Sequence, residues 1–374
     1  MTSVARDVIV VGGGIVGCLT AYLLARQGLK VTLLEAEAVG SHASGFAFGE
    51  LGALEGAGIP NPLLEFTLWC FRRHPSLAQE LQEQSGVDYR FKFCHRLMLA
   101  FDQTAVHDFK EHLAWQRQVK DCTVQWLEPA EVVRVEPRAN PHCLGAVYVH
   151  RSAALEPYQY TLAAIQSAER AGVQTVLRRV TGLLRRGDRC LGVTYQGGQL
   201  EAETVVLAMG PWTSEASAWC GSNIPVTPLK GQILRLRLEG PALAHSLHYG
   251  GSYMALKPDG LLWAGTTEER VGFNEEPTRA GRDKIMRDVL TMAPSLAEAQ
   301  LVQHTACLRP LSSDGLPIVG LAPGWRNLYL GTGAGRKGIL WSTGMSQGLA
   351  DLILQGESAV PGLAHLDPAR FQGE

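Results

Sequence analysis

Val8-Ile9-Val10-Val11 is a short run of β-branched residues with no polar interruption, the pattern of a strand buried on both faces of a parallel sheet. The period then changes. Ile15, Cys18, Leu19, Tyr22, Leu23 and Leu24 recur at helical spacing and end near Gly28. Val31-Thr32-Leu33-Leu34 restores the strand pattern and is closed by Glu35. Strand, helix and strand within roughly 30 residues predict a βαβ unit.

Later segments read differently. Arg90 to Ala100 predicts a strand and Thr104 to Val119 a helix. Ile233 to Leu238 alternates apolar with basic positions, as a half-exposed antiparallel strand does. Tyr253 to Leu256 and Leu261 to Gly265 predict two short strands joined by the turn Lys257-Pro258-Asp259-Gly260. Arg279 to Met292 predicts a helix.

Gly12, Gly14 and Gly17 stand in G-x-G-x-x-G spacing between the first strand and the helix. Gly12 permits the tight turn, Gly14 lets the backbone approach a pyrophosphate, and Gly17 lets helix and sheet pack closely. Ile15 and Val16 then offer first-turn N–H groups and the positive end of the helix dipole to the phosphates. Glu35, with Ala36 behind it, stands where a carboxylate accepts from both ribose hydroxyls of an adenosine. It would repel a 2′-phosphate, which argues against NADP.

Composition narrows the class. The chain has 374 residues, 34 basic and 36 acidic, with a formal net charge of −2 and no block of like charge. That excludes the basic footprint of a nucleic-acid binder. Eight cysteines stand singly with no C-x-x-C pair, so neither a zinc site nor a redox dithiol is expected, and no metal. The N-terminus shows no signal-peptide pattern, and no apolar run is long enough to span a membrane. The expectation is a cytoplasmic protein with free thiols.

Ser41-His42-Ala43-Ser44-Gly45, rich in small and hydroxyl residues, follows the βαβ unit. Here the chain resembles the D-amino acid oxidase-like flavoprotein family, the glycine oxidase and sarcosine oxidase group. The resemblance implies that Ser41, Ser44 and Gly45 lie along FAD. It extends through Leu155-Glu156-Pro157 and the helix Tyr160 to Arg170. Val173 to Val180 is similar to the strand whose last residue, Val180, packs on adenine. Val205 to Trp212 resembles the segment beneath the FAD, implying contacts from Ala208, Gly210 and Trp212. Pro228-Leu229-Lys230-Gly231-Gln232 resembles a crossing into a substrate domain. Gly331 to Gly338 resembles the flavin loop, implying contacts from Gly335, Arg336, Lys337, Gly338 and Ile339.

The implied fold is α/β: a discontinuous Rossmann-like FAD-binding domain with an α+β substrate domain on an antiparallel sheet. The expected boundaries give residues 1–85, 143–222 and 308–374 to the first, and 86–142 and 223–307 to the second.

The implied chemistry is oxidation of a small amino acid or secondary amine, with hydride passing from the α-carbon to flavin N5, and dioxygen or another acceptor reoxidising the flavin. Arg309, in Cys307-Leu308-Arg309-Pro310, resembles the arginine that grips the substrate carboxylate. Its planar fork suits that group. Tyr253 matches a tyrosine facing the substrate, a donor that adds no charge. Arg336 matches an arginine of the flavin loop. The chain departs from the pattern at Lys337, where relatives carry asparagine, and at Ala334, where they often carry a larger residue. Cys307 stands where sarcosine oxidase links covalently to flavin, although the segment resembles glycine oxidase more and so implies non-covalent FAD. Two further functions are kept open. One is a 2-hydroxy-acid dehydrogenase, for which His42 or His304 would have to serve as base. The other is a flavin-bearing subunit of a multi-subunit amine dehydrogenase. Homo- and hetero-oligomers are both compatible with the sequence.

Overall fold

A computed structural model describes residues 7–120 and 122–372. The chain divides into two compact units. One comprises Met1–Tyr89, Glu156–Leu229 and Leu308–Glu374, the other Arg90–Leu155 and Lys230–Cys307.

The first unit opens with the expected βαβ: strand β1 (Asp7–Val11), helix α1 (Ile15–Arg26) and strand β2 (Lys30–Glu35). β1 and β2 pair in parallel, Val10 opposite Leu33. They sit inside a six-stranded sheet. From one edge its order is Ile318–Leu321, Leu328–Thr332, Thr204–Leu207, β1, β2 and Gln174–Leu177. Five strands are parallel, and Ile318–Leu321 runs against its neighbour. Val10, Leu33, Val206 and Leu207 are fully buried. Each such side chain stabilises the fold by about 1.5–3 kcal/mol relative to exposure.

α1 is buried nearly all round, as its unbroken apolar character requires. Helices Leu64–Ser85 and Gly338–Gln355 meet at Gly344, where a Cβ would lie 2.5 Å from Cys70 Sγ. Trp341 Nε1 donates to Thr67 Oγ1 at 2.9 Å and Ser346 Oγ to the Val16 carbonyl at 3.0 Å, tying the last helix to both others. A separate three-stranded antiparallel sheet covers residues 180–201.

The second unit is a largely antiparallel sheet. Within this unit its order is 300–307, 230–237, Leu262–Gly265, Ser252–Leu256, Ser246–Tyr249, Lys92–Ala100 and Gly145–Ala154, with Val124–Leu127 beside the last. One pair, Ser246–Tyr249 with Lys92–Ala100, is parallel. Helix Arg279–Met292 packs Ile285 and Val289 against Leu234, Leu247 and Met254 on one face. Alternation puts Tyr253, His248 and Ile233 on the other.

Two expectations are corrected. Residues 143–155, assigned by sequence to the first domain, group with the second unit, because Gly145–Ala154 pairs along its length with Lys92–Ala100, whereas residues 86–89 and 223–229, assigned to the second, group with the first. Val173–Val180 is not one strand. Gln174–Leu177 ends the parallel sheet, Arg178 turns to donate its N–H to the Glu35 carbonyl at 2.7 Å, and Val180 opens the three-stranded sheet.

Candidate functional site

In an open parallel sheet, ligands bind beyond the carboxyl ends of the strands. In the first unit those ends are Val11, Glu35, Leu177, Leu207 and Thr332. Every segment expected to bind the cofactor leaves from one of them.

Gly12 and Gly17 make the close backbone approaches that their spacing implies. Gly12 has φ +111°, a region open to glycine, and its Cβ would lie 2.3 Å from the Ala208 carbonyl oxygen. Gly17 lies against Gly12, and its Cβ would fall 2.0 Å from the Gly12 carbonyl oxygen. Gly14 differs: its Cβ would meet only Ser44 Oγ, at 3.2 Å. Nothing in the packing of the chain demands glycine there, whereas a ligand against the backbone would.

α1 begins at Gly14 with no side-chain cap of its own. The Ser44 hydroxyl supplies one, accepting the Ile15 N–H at 3.0 Å. The N–H groups of Val16 and Gly17 belong to the first turn, which has no intrahelical acceptors. Glu35 is buried and held at both oxygens, Oε2 by the Gly13 N–H at 2.6 Å and Oε1 by the Glu37 N–H at 2.8 Å. Each carboxylate oxygen keeps further acceptor capacity for a sugar hydroxyl. Ala36 is exposed beside it.

Ser41 Oγ is buried and has no hydrogen-bond partner among the described residues. Such orphans call for an explanation, and a bound polar group provides one. Gly45 has a packing role instead, since a Cβ there would lie 2.1 Å from the Gly40 carbonyl oxygen. His42 is pinned, its ring tilted against Trp212 with centroids 4.5 Å apart and its Nε2 3.2 Å from Glu37 Oε2. Ala208 and Val180 are buried, and Gly210, at φ +55°, faces open space and accepts the Thr332 hydroxyl at 2.8 Å through its carbonyl.

The flavin-loop segment follows Thr332. An isolated antiparallel bridge joins Leu311 to Ala334. Arg309 lies two residues before Leu311 on the strand Gln300–Ser312, and Arg336 two residues after Ala334 in a 3-10 turn, so the bridge sets their two segments side by side. Arg309 is half-buried and Arg336 exposed. Gly335, at φ +49°, makes the turn, and Lys337 and Gly338 lead into the last helix, where Ile339 is buried. Lys337 is already committed. Its Nζ donates to the Gly52 carbonyl at 2.6 Å and lies 3.2 Å from Glu55 Oε1. Asp314 is likewise held by Arg370 at 2.8 Å, which keeps its carboxyl below the ordinary aspartate range although burial pushes it up.

Tyr253 lies in the second unit, half-buried, opposite Gly265 and His248. Cys307 is buried and forms no disulfide, as is true of six of the other seven cysteines. The Ser44 cap, the orphaned Ser41 hydroxyl and the Leu311–Ala334 bridge carry no local sequence signature.

A glycine-gated helix N-terminus beside an anchored acid, at the carboxyl edge of a parallel sheet, defines a dinucleotide-binding protein of the doubly wound class. A sequence model of the FAD dependent oxidoreductase family matches residues 7–352. The chain is similar to glycine oxidase of Bacillus licheniformis, 31% identical over 93% of each chain. It is similar to hydrogen cyanide synthase subunit HcnC of Pseudomonas aeruginosa, 28% identical over 98% of this chain and 97% of that one. The crystal structure of glycine oxidase from Geobacillus kaustophilus superposes with a TM-score of 0.92 at 29% identity, covering 99% of this chain and 100% of that one. The chain belongs to the FAD dependent oxidoreductase family. It is an FAD-dependent oxidoreductase, and Ser41, Gly14 and Glu35 fit that cofactor. Among the described residues no helix is long and apolar enough to cross a membrane.

Proposed function

We propose that the protein oxidises a small amino acid or a related secondary amine at the carbon beside nitrogen, giving an imine that water hydrolyses. The observation that carries the reading is near full-length similarity to glycine oxidase, in a chain where the Leu311–Ala334 bridge sets the segments bearing Arg309 and Arg336 side by side. Bound FAD supplies the acceptor for the hydride.

The residues of the chain bind and orient. Gly14, Ile15, Val16 and Gly17 present backbone N–H groups to the diphosphate, and Glu35 accepts from the ribose. Arg309 takes the substrate carboxylate in a two-pronged bond. Arg336, with the N-terminus of Gly338–Gln355, supplies positive charge on the flavin side. Tyr253 donates its phenol to the substrate. Lys337 spends its donors on Gly52 and Glu55, so it does not act as a second clamp. Amine oxidation needs only the neutral amine, whereas a 2-hydroxy acid needs a base for its hydroxyl proton. The hydroxy-acid reading would therefore need His42 or His304 to serve as that base.

A second reading, a flavin-bearing subunit of a multi-subunit amine dehydrogenase, is favoured by the near full-length similarity to the cyanide synthase subunit. One experiment addresses both. The purified yellow protein is mixed anaerobically with D-, L- and N-alkyl amino acids and 2-hydroxy acids. Bleaching by amino acids alone is expected. Peroxide formed on admitting air marks an oxidase, and its absence favours the subunit reading. Bleaching by hydroxy acids only would overturn the proposal.

A further inference from the structure

Tyr253 stands on the last rung of a ladder. Between Ser252–Leu256 and Leu262–Gly265 the partners run Leu256–Leu262, Ala255–Trp263, Met254–Ala264 and Tyr253–Gly265. The next rung would join Ser252 to Thr266, and the pairing stops before it. The ends of such ladders open first, because the outermost bonds have neighbours on one side only.

Here a side chain takes the place of the missing rung. Lys284, on the helix Arg279–Met292, donates from Nζ to Ser252 Oγ at 2.8 Å and to the Thr266 carbonyl at 2.8 Å. Asp288, one helical turn on, holds the same ammonium at 2.8 Å and accepts the Ser252 hydroxyl at 2.5 Å. Ser252 and Thr266 are both buried, while Lys284 reaches them from a partly exposed position on the helix. An ammonium has three donors, and here they meet three acceptors. On the opposite face the Tyr253 ring lies across Gly265, where a Cβ would fall 3.1 Å from Tyr253 Cε2. The position of the ring therefore depends on the spacing of the two strands at that rung.

We propose that Lys284 is a positioning residue for the oxidation: it bridges Ser252 and Thr266 and so fixes the rung that carries Tyr253. The inference rests on the reading of Tyr253 as a substrate-facing donor. Lys284 touches no reacting atom, so its loss should alter how well substrate is held rather than how FAD is bound.

The test is steady-state kinetics, FAD titration and melting on wild type, K284M, Y253F and the double variant. Y253F is expected to raise KM for the best amino acid by about fivefold. K284M should raise it about three- to tenfold, with kcat within about twofold and FAD affinity unchanged. In the Y253F background K284M should add almost nothing, because both changes remove one interaction. K284R, which keeps the donors, should restore most of the affinity. Should K284M fail to fold, S252A removes one anchor and carries the same expectation. A wild-type KM for K284M, or an equal effect with and without Tyr253, overturns the inference while leaving the reading of Tyr253 intact. A wild-type KM for Y253F overturns both.

Discussion

Gly13 and Glu35, one in the turn after β1 and the other closing β2, are joined by a 2.6 Å hydrogen bond from the Gly13 N–H to Glu35 Oε2. The bond fixes the acid against the glycine turn, so diphosphate and ribose would be read by one rigid piece of backbone. Glu35→Gln removes the charge and, because its NH2 cannot accept, also gives up one of the two backbone N–H bonds. Hydrogen bonds to charged groups contribute about 1.5–3 kcal/mol, so FAD affinity should fall roughly 10- to 100-fold. Flavin fluorescence on titration into apoprotein measures this. Unchanged affinity would remove Glu35 from the ribose.

Two glycines of the fingerprint should fail in different ways. In Gly17→Ala the new Cβ falls 2.0 Å from the backbone oxygen of Gly12, an atom that cannot swing aside. Overpacking of this kind costs about 1–3 kcal/mol or more, so the melting temperature should drop even without cofactor. In Gly14→Ala the Cβ meets only Ser44 Oγ at 3.2 Å. That variant should melt near wild type as apoprotein and bind FAD poorly. If both lose stability equally, Gly14 is a packing glycine too.

The βαβ unit was legible because its period switches from strand to helix to strand around the glycines, and every signal there is local. Helix Arg279–Met292 was read at its observed bounds for the same reason, with Thr278 accepting the Gly281 N–H as its cap. Helix Leu64–Ser85 carries Pro75 in its middle, which deletes a helical N–H and masks the pattern. The domain boundary near 143 was misplaced because strand Gly145–Ala154 is claimed by partners some fifty residues earlier, and pairing across such a distance leaves no mark in a local window. Ser44 capping Ile15 is hidden likewise, 29 positions apart. Family resemblance supplied Arg309 and Arg336, and only the Leu311–Ala334 bridge gives a physical reason for pairing them.

That bridge frames the substrate prediction. Arg309→Ala should raise KM for amino acids about 100-fold if the guanidinium makes a two-pronged bond of about 3 kcal/mol. Arg309→Lys restores the charge without the fork and should recover only part of the loss. An amine lacking a carboxylate should show little change in KM in either variant. Unaltered kinetics with amino acids would mean that another cation holds the carboxylate.

Acid should loosen the first unit through His74. The ring is fully buried in the helix Leu64–Ser85, its Nε2 3.0 Å from the Leu340 carbonyl in the last helix. Burial disfavours the cation and lowers the pKa from 6.5 to about 4, while the Leu340 carbonyl pulls the other way. The folded protein thus binds the proton less readily than the unfolded chain. Stability from the neutral imidazole is complete above pH 6.5, declines as pH falls, and is gone below about 4. The shift corresponds to about 3 kcal/mol over that interval. In His74→Gln, which can still donate to Leu340 but does not titrate, the loss of melting temperature between pH 6.5 and 4 should be shallower than in wild type. Parallel curves for the two proteins would show that other groups govern the acid response.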